Sequence, residues 1–251
     1  MKNSTNKPKK GFVLIPGGGM GSWIWDSIVP RLRSPCLAID KRTAQTDRRK
    51  YISDTTIKDC ADHVINCSNT ACFKELILVA HSGAGLILPE IVKIIPERVK
   101  HLIFISATIL PDGKRAIDML PLLPQLLNRF SFFLMSLGVE MPKKQVEKTI
   151  RKNFCNTCSE SVIQFILKHK IQPEPKALAY ERVTRKNMPS IPASYIKLLK
   201  DKTNSLTNQA AMIHNYGRPA VYEIDADHMV MLSRPDKLAA VLNTIAVRVF
   251  G

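Results

Sequence analysis

The sequence predicts an α/β fold: a mainly parallel central sheet flanked by helices, with a helical cap inserted after the fourth strand. Three observations carry this expectation. Six short apolar runs recur along the 251 residues, and helical patterns separate most of them, which is the alternation that builds a parallel sheet. The runs are nearly continuous in apolar residues, as strands covered on both faces are. Between Gly113 and Pro192 the alternation lapses into amphipathic helical patterns with Pro-rich joints. Residues 1–112 and 193–251 are therefore expected to form the core domain and residues 113–192 the cap. One large domain with a complete core fits this length.

The first run, FVLIP (12–16), leads into PGGGMGSWIW, a glycine-rich turn before a helix. Consecutive glycines let backbone N–H groups approach a ligand closely, which suits an oxyanion hole or a phosphate cradle. No Lys followed by Ser or Thr comes after the last glycine, so a Walker loop is excluded, and Ser22 stands where a dinucleotide fingerprint needs its third glycine. The second run is CLAID (36–40). The third, ELILVA (75–80), runs into His81, Ser82, Gly83, Ala84 and Gly85 before the helical pattern LILPEIVKII. A strand, a sharp turn and a helix are expected there. The fourth run is HLIFIS (101–106), followed by the turn PDG. Inside the cap, Met119–Gly138 is nearly long enough to span a bilayer, but Pro121, Pro124, Gln125, Asn128 and Arg129 interrupt it. An apolar lid over a pocket is the better expectation. SYIKLL (194–199) and AVYEID (220–225) complete the set of strands.

Composition narrows the function classes. The N-terminus, MKNSTNKPKK, is polar and lacks the features of a secretory segment, so a cytoplasmic protein without a membrane span is expected. Six scattered cysteines do not make a disulfide framework, and the Cys155–Cys158 pair lacks the second pair or spaced histidines of a zinc site. The net charge of +16 favours polyanions or acidic substrates in general. With 6% aromatic residues and no basic run interleaved with them, nucleic acid is not an expected partner, and solvated surface charge is the simpler reading. The sequence allows a homodimer without specifying one.

In open α/β sheets chemistry clusters beyond the carboxyl ends of the strands. Ser82 sits there after the third run. It is a nucleophile if the turn is a strained strand-to-helix elbow, and an ordinary turn residue otherwise; Ala80 and Ala84 occupy the positions where the elbow pattern places glycines. Asp201 follows the fifth run and His228 the sixth, each of which read alone is a turn or structural residue. Together they give the chain order Ser, Asp, His of a hydrolase triad. Asp112, after the fourth run, is the fallback acid.

The stretches FVLIPGGGMGSWIWDSIVPRL, LVAHSGAGLI, FCNTCSESVIQFILKHKIQPEPKAL, SYIKLLKDKTN and IDADHMVMLSRPDKLAAVL resemble the plant-type methylesterase and hydroxynitrile lyase group of the α/β-hydrolase superfamily, with its bacterial esterase relatives. The similarity runs from Gly11 to Ala246. It implies the α/β-hydrolase fold and a serine esterase for a small to medium apolar ester, needing no cofactor or metal. Ser82 would be the nucleophile, His228 the base and Asp201 its orienting acid. Gly18 and Gly83 would supply the oxyanion-hole N–H groups, with Met20, Trp25 and Met229 near the pocket. The chain departs from the group at Pro16, where a histidine is usual, and at the two elbow alanines. The lyase branch carries threonine at the position of Gly17 and lysine at that of Met229, so the resemblance points to the esterase side. A hydrolase-like binding protein that keeps the pocket without the chemistry is the remaining alternative.

Overall fold

The computed structural model describes residues 9–40, 47–120, 139, 142–169, 171 and 173–251. Six strands, β1 (Lys9–Ile15), β2 (Cys36–Ala38), β3 (Phe73–His81), β4 (Val99–Ile105), β5 (Ala193–Leu198) and β6 (Ala220–Ile224), form one sheet in the order β2-β1-β3-β4-β5-β6. Every adjacent pair is parallel. All six apolar runs of the sequence lie in these strands, with boundaries shifted by a few residues.

Why the strands read as unbroken apolar runs is visible in β1. Its pleat sends alternate side chains to opposite faces. Phe12 and Leu14 join a buried cluster with Trp25, Ile28, Leu238 and Leu242, whereas Val13 and Ile15 join another with Ile57, Ala61, Leu88 and Ile91. Helices cover both faces, so neither set can be polar. The α-helices among the described residues are α1 (Arg48–Asp54), α2 (Ile57–Thr70), α3 (Leu88–Ile94), α4 (Lys143–Thr149), α5 (Glu160–Lys168), α6 (Ala177–Tyr180), α7 (Leu206–Tyr216), α8 (Val230–Ser233) and α9 (Pro235–Phe250). The start of α2 shows how sequence sets a boundary. Asp59 N–H donates to the Thr56 hydroxyl at 3.0 Å, and Thr56 N–H donates to the Asp59 carboxylate at 2.9 Å. This reciprocal cap satisfies backbone donors that the first helical turn leaves open.

Two features position the site. The chain runs from β1 outward to β2 and then crosses back to β3 on the other side of β1. That reversal opens a crevice at the carboxyl ends of β1 and β3. Second, the long β4–β5 segment carries α4, α5 and α6 and adds a single antiparallel bridge, Lys114 to Val183, among its described residues. The lid expected over Met119–Gly138 falls mostly on residues 121–138, which lie outside the described residues; Met119 and Leu120 are exposed. No helix among the described residues is long and apolar enough to cross a membrane.

Candidate active site

The turn after β3 is sharp for stated steric reasons. Ser82 has φ of 54°, in the left-handed region that costs a residue with a Cβ about 1–2 kcal/mol. The surroundings hold it there. Its carbonyl accepts from Thr108 N–H at 2.9 Å, tying the turn to the chain beyond β4. A Cβ built on Gly85 would lie 2.4 Å from the Thr108 carbonyl oxygen, and one on Gly17 would lie 2.9 Å from Ser82 Cβ and 2.7 Å from His81 Nδ1. Glycine is thus required at 85 and at 17. Ala80 and Ala84 are buried without such a conflict, so alanine suffices at the two positions where the elbow pattern places glycine.

Ser82, His228 and Asp201 meet at the carboxyl edge of the sheet. Ser82 Oγ lies 3.0 Å from His228 Nε2, and His228 Nδ1 lies 2.6 Å from Asp201 Oδ2. An ionised carboxylate only accepts, so in the neutral ring Nδ1 carries the proton and Nε2 accepts from the Ser82 hydroxyl. His228 is fully buried, and Asp201 is buried beneath it. Burial by itself would raise the Asp201 carboxyl; the hydrogen bond and charge of His228, with donation from Asn204 N–H and the Ser106 hydroxyl, outweigh it and hold the group below the usual carboxylate range. Thr203 N–H at 2.7 Å and Asn204 N–H at 2.8 Å donate to Oδ1, and Ser106 Oγ donates to Oδ2 at 2.7 Å. With all its lone pairs engaged, Asp201 can hold the imidazole in one tautomer and one orientation.

The loop that carries His228 is fixed on several sides. His81 Nε2 donates to the His228 carbonyl at 3.0 Å, and the Phe154 ring meets the imidazole edge-on at 5.2 Å between centroids. The neighbouring Asp227, fully buried, accepts from Thr157 N–H, the Thr157 hydroxyl, the Cys158 thiol and the Ser233 hydroxyl. These contacts join the β4–β5 segment to the histidine loop. At the crevice, a Cβ built on Gly83 would meet nothing within 4 Å, so space is open above the turn.

A family model described as the alpha/beta hydrolase family matches residues 12–241. The chain belongs to that family. Methylesterase 17 of Arabidopsis thaliana is 28% identical, over 95% of this chain and 92% of its own length. The chloroplastic methylesterase-13 candidate of the same plant is 26% identical over 94% of this chain, which spans only 56% of it. An alpha-hydroxynitrile lyase of Arabidopsis thaliana is 27% identical, over 95% of this chain and 97% of its own. Among solved structures, an extracellular alpha/beta-hydrolase from a Paenibacillus species, described as homologous to tobacco salicylic acid binding protein 2, covers 94% of this chain and 98% of its own with a TM-score of 0.77 at 21% identity. That likeness speaks to the fold.

Within this alpha/beta hydrolase, the fallback acid is not brought to the histidine. Asp112 instead accepts from Arg185 N–H and the Thr184 hydroxyl at an exposed turn. Met20, Trp25 and Met229 are buried in the core cluster that also holds Ile24 and Val230. Cys155 and Cys158 are free thiols. The hydrogen bond with the neighbouring Cys155 sulfur, burial and the Asp227 charge together raise the Cys158 thiol and keep it protonated. Among the described residues no group of three or more His, Cys, Asp or Glu side chains is placed to hold a metal ion. Sequence reasoning missed Ser106, His81, Phe154, Asp227 and Glu174, whose carboxylate accepts from Gly19 N–H at 2.7 Å. Two of these were within reach: His81 and Asp227 each adjoin a nominated residue. Nothing local marks the other three, because their contacts span 74 to 155 residues of chain and only the fold creates them.

Proposed function

We propose that the protein is a carboxylic ester hydrolase acting through Ser82, His228 and Asp201, on a small to medium ester with an apolar group. The observation that supports this reading above all is the hydrogen-bonded chain from Ser82 Oγ to His228 Nε2 at 3.0 Å and from His228 Nδ1 to Asp201 at 2.6 Å. In this mechanism His228 takes the Ser82 proton as Oγ attacks the ester carbonyl, and Asp201 stabilises the imidazolium that forms. The N–H groups of Gly18 and Gly83 receive the tetrahedral oxyanion, each such donor contributing about 3–4 kcal/mol in comparable sites. The imidazolium gives its proton to the departing alcohol. Water, deprotonated by the same imidazole, then cleaves the acyl-serine. The β4–β5 segment acts as the cap that closes the substrate pocket.

A cyanohydrin lyase is the second reading, since a lyase is among the similar proteins. Two features weigh against it. Met229 follows His228, so that position offers a thioether and no cation to hold cyanide, and a side chain in place of Gly17 would press on His81 and Ser82. Fluorophosphonate labelling of the protein and of Ser82→Ala, with a panel of p-nitrophenyl and methyl esters, tests the esterase. Labelling and turnover that vanish together in the variant are expected. Mandelonitrile cleavage by the unmodified protein, at a rate rivalling its best ester, would replace the esterase with the lyase.

A further inference from the structure

The glycine loop after β1 carries a mechanical problem. Gly17, Gly18 and Gly19 are consecutive, and glycine has more backbone freedom to lose than any other residue. A donor in such a loop stabilises an oxyanion only if its direction is fixed before the charge develops. Part of the fixing is local: Met20 N–H donates to the Gly17 carbonyl at 3.2 Å, and Gly17 packs on Ser82. The remainder reaches the loop from 155 residues away, where Gly19 N–H donates to Glu174 Oε1 at 2.7 Å. The Glu174 stem also passes the loop closely, with Cγ 3.9 Å from where a Cβ of Gly18 would stand.

Glu174 is itself held rigidly. Pro173 and Pro175 flank it and both are buried; proline fixes its own φ and restricts the residue before it. Beyond them, Lys176 N–H donates to the Ile52 carbonyl in α1 at 2.9 Å, and Leu178 N–H donates to the Pro175 carbonyl at 3.1 Å. The short Pro-Glu-Pro stretch is therefore an anchored arm that ends in a carboxylate.

The geometry points to Glu174 as a positioning residue: from the β4–β5 segment its carboxylate fixes the Gly17–Gly19 loop so that the Gly18 N–H is aimed at the oxyanion formed on the Ser82 adduct. The inference rests on the serine-esterase reading. A bond from N–H to a carboxylate is stronger than one to a neutral acceptor, but it also places a negative charge near the developing oxyanion. The role therefore depends on the acceptor and on its reach, and the charge is dispensable.

The test uses the full chain with Glu174→Met, which keeps the stem and loses the acceptor, Glu174→Asp, which keeps the charge and shortens the reach, and Glu174→Gln, which keeps acceptor and reach. Steady-state kinetics on a p-nitrophenyl ester and the rate of phosphonylation by a fluorophosphonate are read together with thermal melts. Met and Asp variants should lose about 10- to 100-fold in kcat, the range expected for misplacing a reacting group by about 1 Å, with KM changed less than about threefold and phosphonylation slowed in parallel. The Gln variant should stay within about threefold of the parent in both. If Glu174→Met does not fold, the contrast between Asp and Gln decides alone. Met and Asp variants at parental kcat would overturn the inference, as would a Gln variant that falls as far as they do. In either case a parent protein labelled at Ser82 leaves the esterase standing. A parent that neither takes the label nor cleaves any ester sinks the esterase reading, and the role of Glu174 with it.

Discussion

Ser82 occupies a backbone region that favours glycine, with φ of 54°, and this separates its contribution to stability from its contribution to chemistry. Ser82→Ala keeps the Cβ and the strain, so its melting temperature should match the parent while ester turnover falls by several powers of ten. Ser82→Gly is equally inactive but relieves the strain. It should melt higher than Ser82→Ala by about 2 to 4 °C, the shift that about 1 kcal/mol gives in a domain of this size. A Gly variant that melts lower would mean that the strain relieved is smaller than the backbone entropy glycine adds to the unfolded chain. The two carboxylates nominated from sequence make a second contrast at this scale. Asp201→Asn leaves the Ser82 to His228 contact in place but can donate to Nδ1 and favour the wrong tautomer, so kcat should fall by about 10⁴-fold with KM little changed. Asp112→Asn touches only the exposed turn with Thr184 and Arg185, and activity should remain near parental. Kinetics of the two variants side by side decide between the acids, and a greater loss from Asp112→Asn would refute the assignment.

The strand, turn and helix around Ser82 show how much of one element the sequence makes legible. The five apolar residues before His81 announce a doubly covered strand, and β3 is one. The small residues after it announce a tight turn, and Ser82 to Leu86 forms a 3-10 helix leading into α3, with Pro89 in its first turn, where its missing N–H costs nothing. What the letter pattern does not reveal is which small residue is obligatory. The reason is tertiary: the backbone that crowds the turn belongs to Thr108, beyond β4. The same limit hides Ser106, whose hydroxyl reaches Asp201 only because β4 and β5 are neighbours. The β4–β5 segment is less legible still, because its helices are amphipathic patterns without fixed partners in sequence, and the Glu174 contact follows from where they dock. Gly85→Ala should therefore be severe. Its Cβ would meet a carbonyl oxygen at 2.4 Å, and the turn must move, which is expected to lower the melting temperature clearly and to cost activity through Ser82. Ala84→Gly removes only a methyl group and should be far milder. Thermal denaturation of the pair checks the difference, and equal melting temperatures would show that the turn yields without cost.

At the scale of the whole molecule the excess of basic residues makes acid the vulnerable side. The chain carries +16 near neutrality, and each carboxylate that takes up a proton adds to self-repulsion. Two groups, the half-buried His101 and the buried Asp201, contribute to where stability is lost. His101 in β4, whose Nε2 lies 2.9 Å from the Ser194 hydroxyl in β5, is lowered by burial to about 4. In the unfolded chain a histidine titrates near 6.5. Between those values the unfolded state binds the extra proton, so stability falls as pH drops from about 6.5 to about 4 and this contribution then levels off. Asp201 acts lower. Its folded carboxyl lies below the ordinary value, so its contribution is present above the unfolded carboxylate pKa near 3.9 and is lost as pH falls through the folded one. The melting temperature should thus decline in two stages on acidification. His101→Gln can still hydrogen-bond Ser194 but has no proton to take up, and it should flatten the upper stage while leaving the decline below about pH 4 in place. Asp201→Asn should soften the decline below about pH 4 without removing it, since Asp118 and Glu160 also take up protons there, and should leave the upper stage in place. Melting curves at half-unit steps from pH 7 to 3 for the parent and both variants resolve the stages, and a His101→Gln protein with the parental slope between pH 6.5 and 4 would show that the upper stage arises elsewhere.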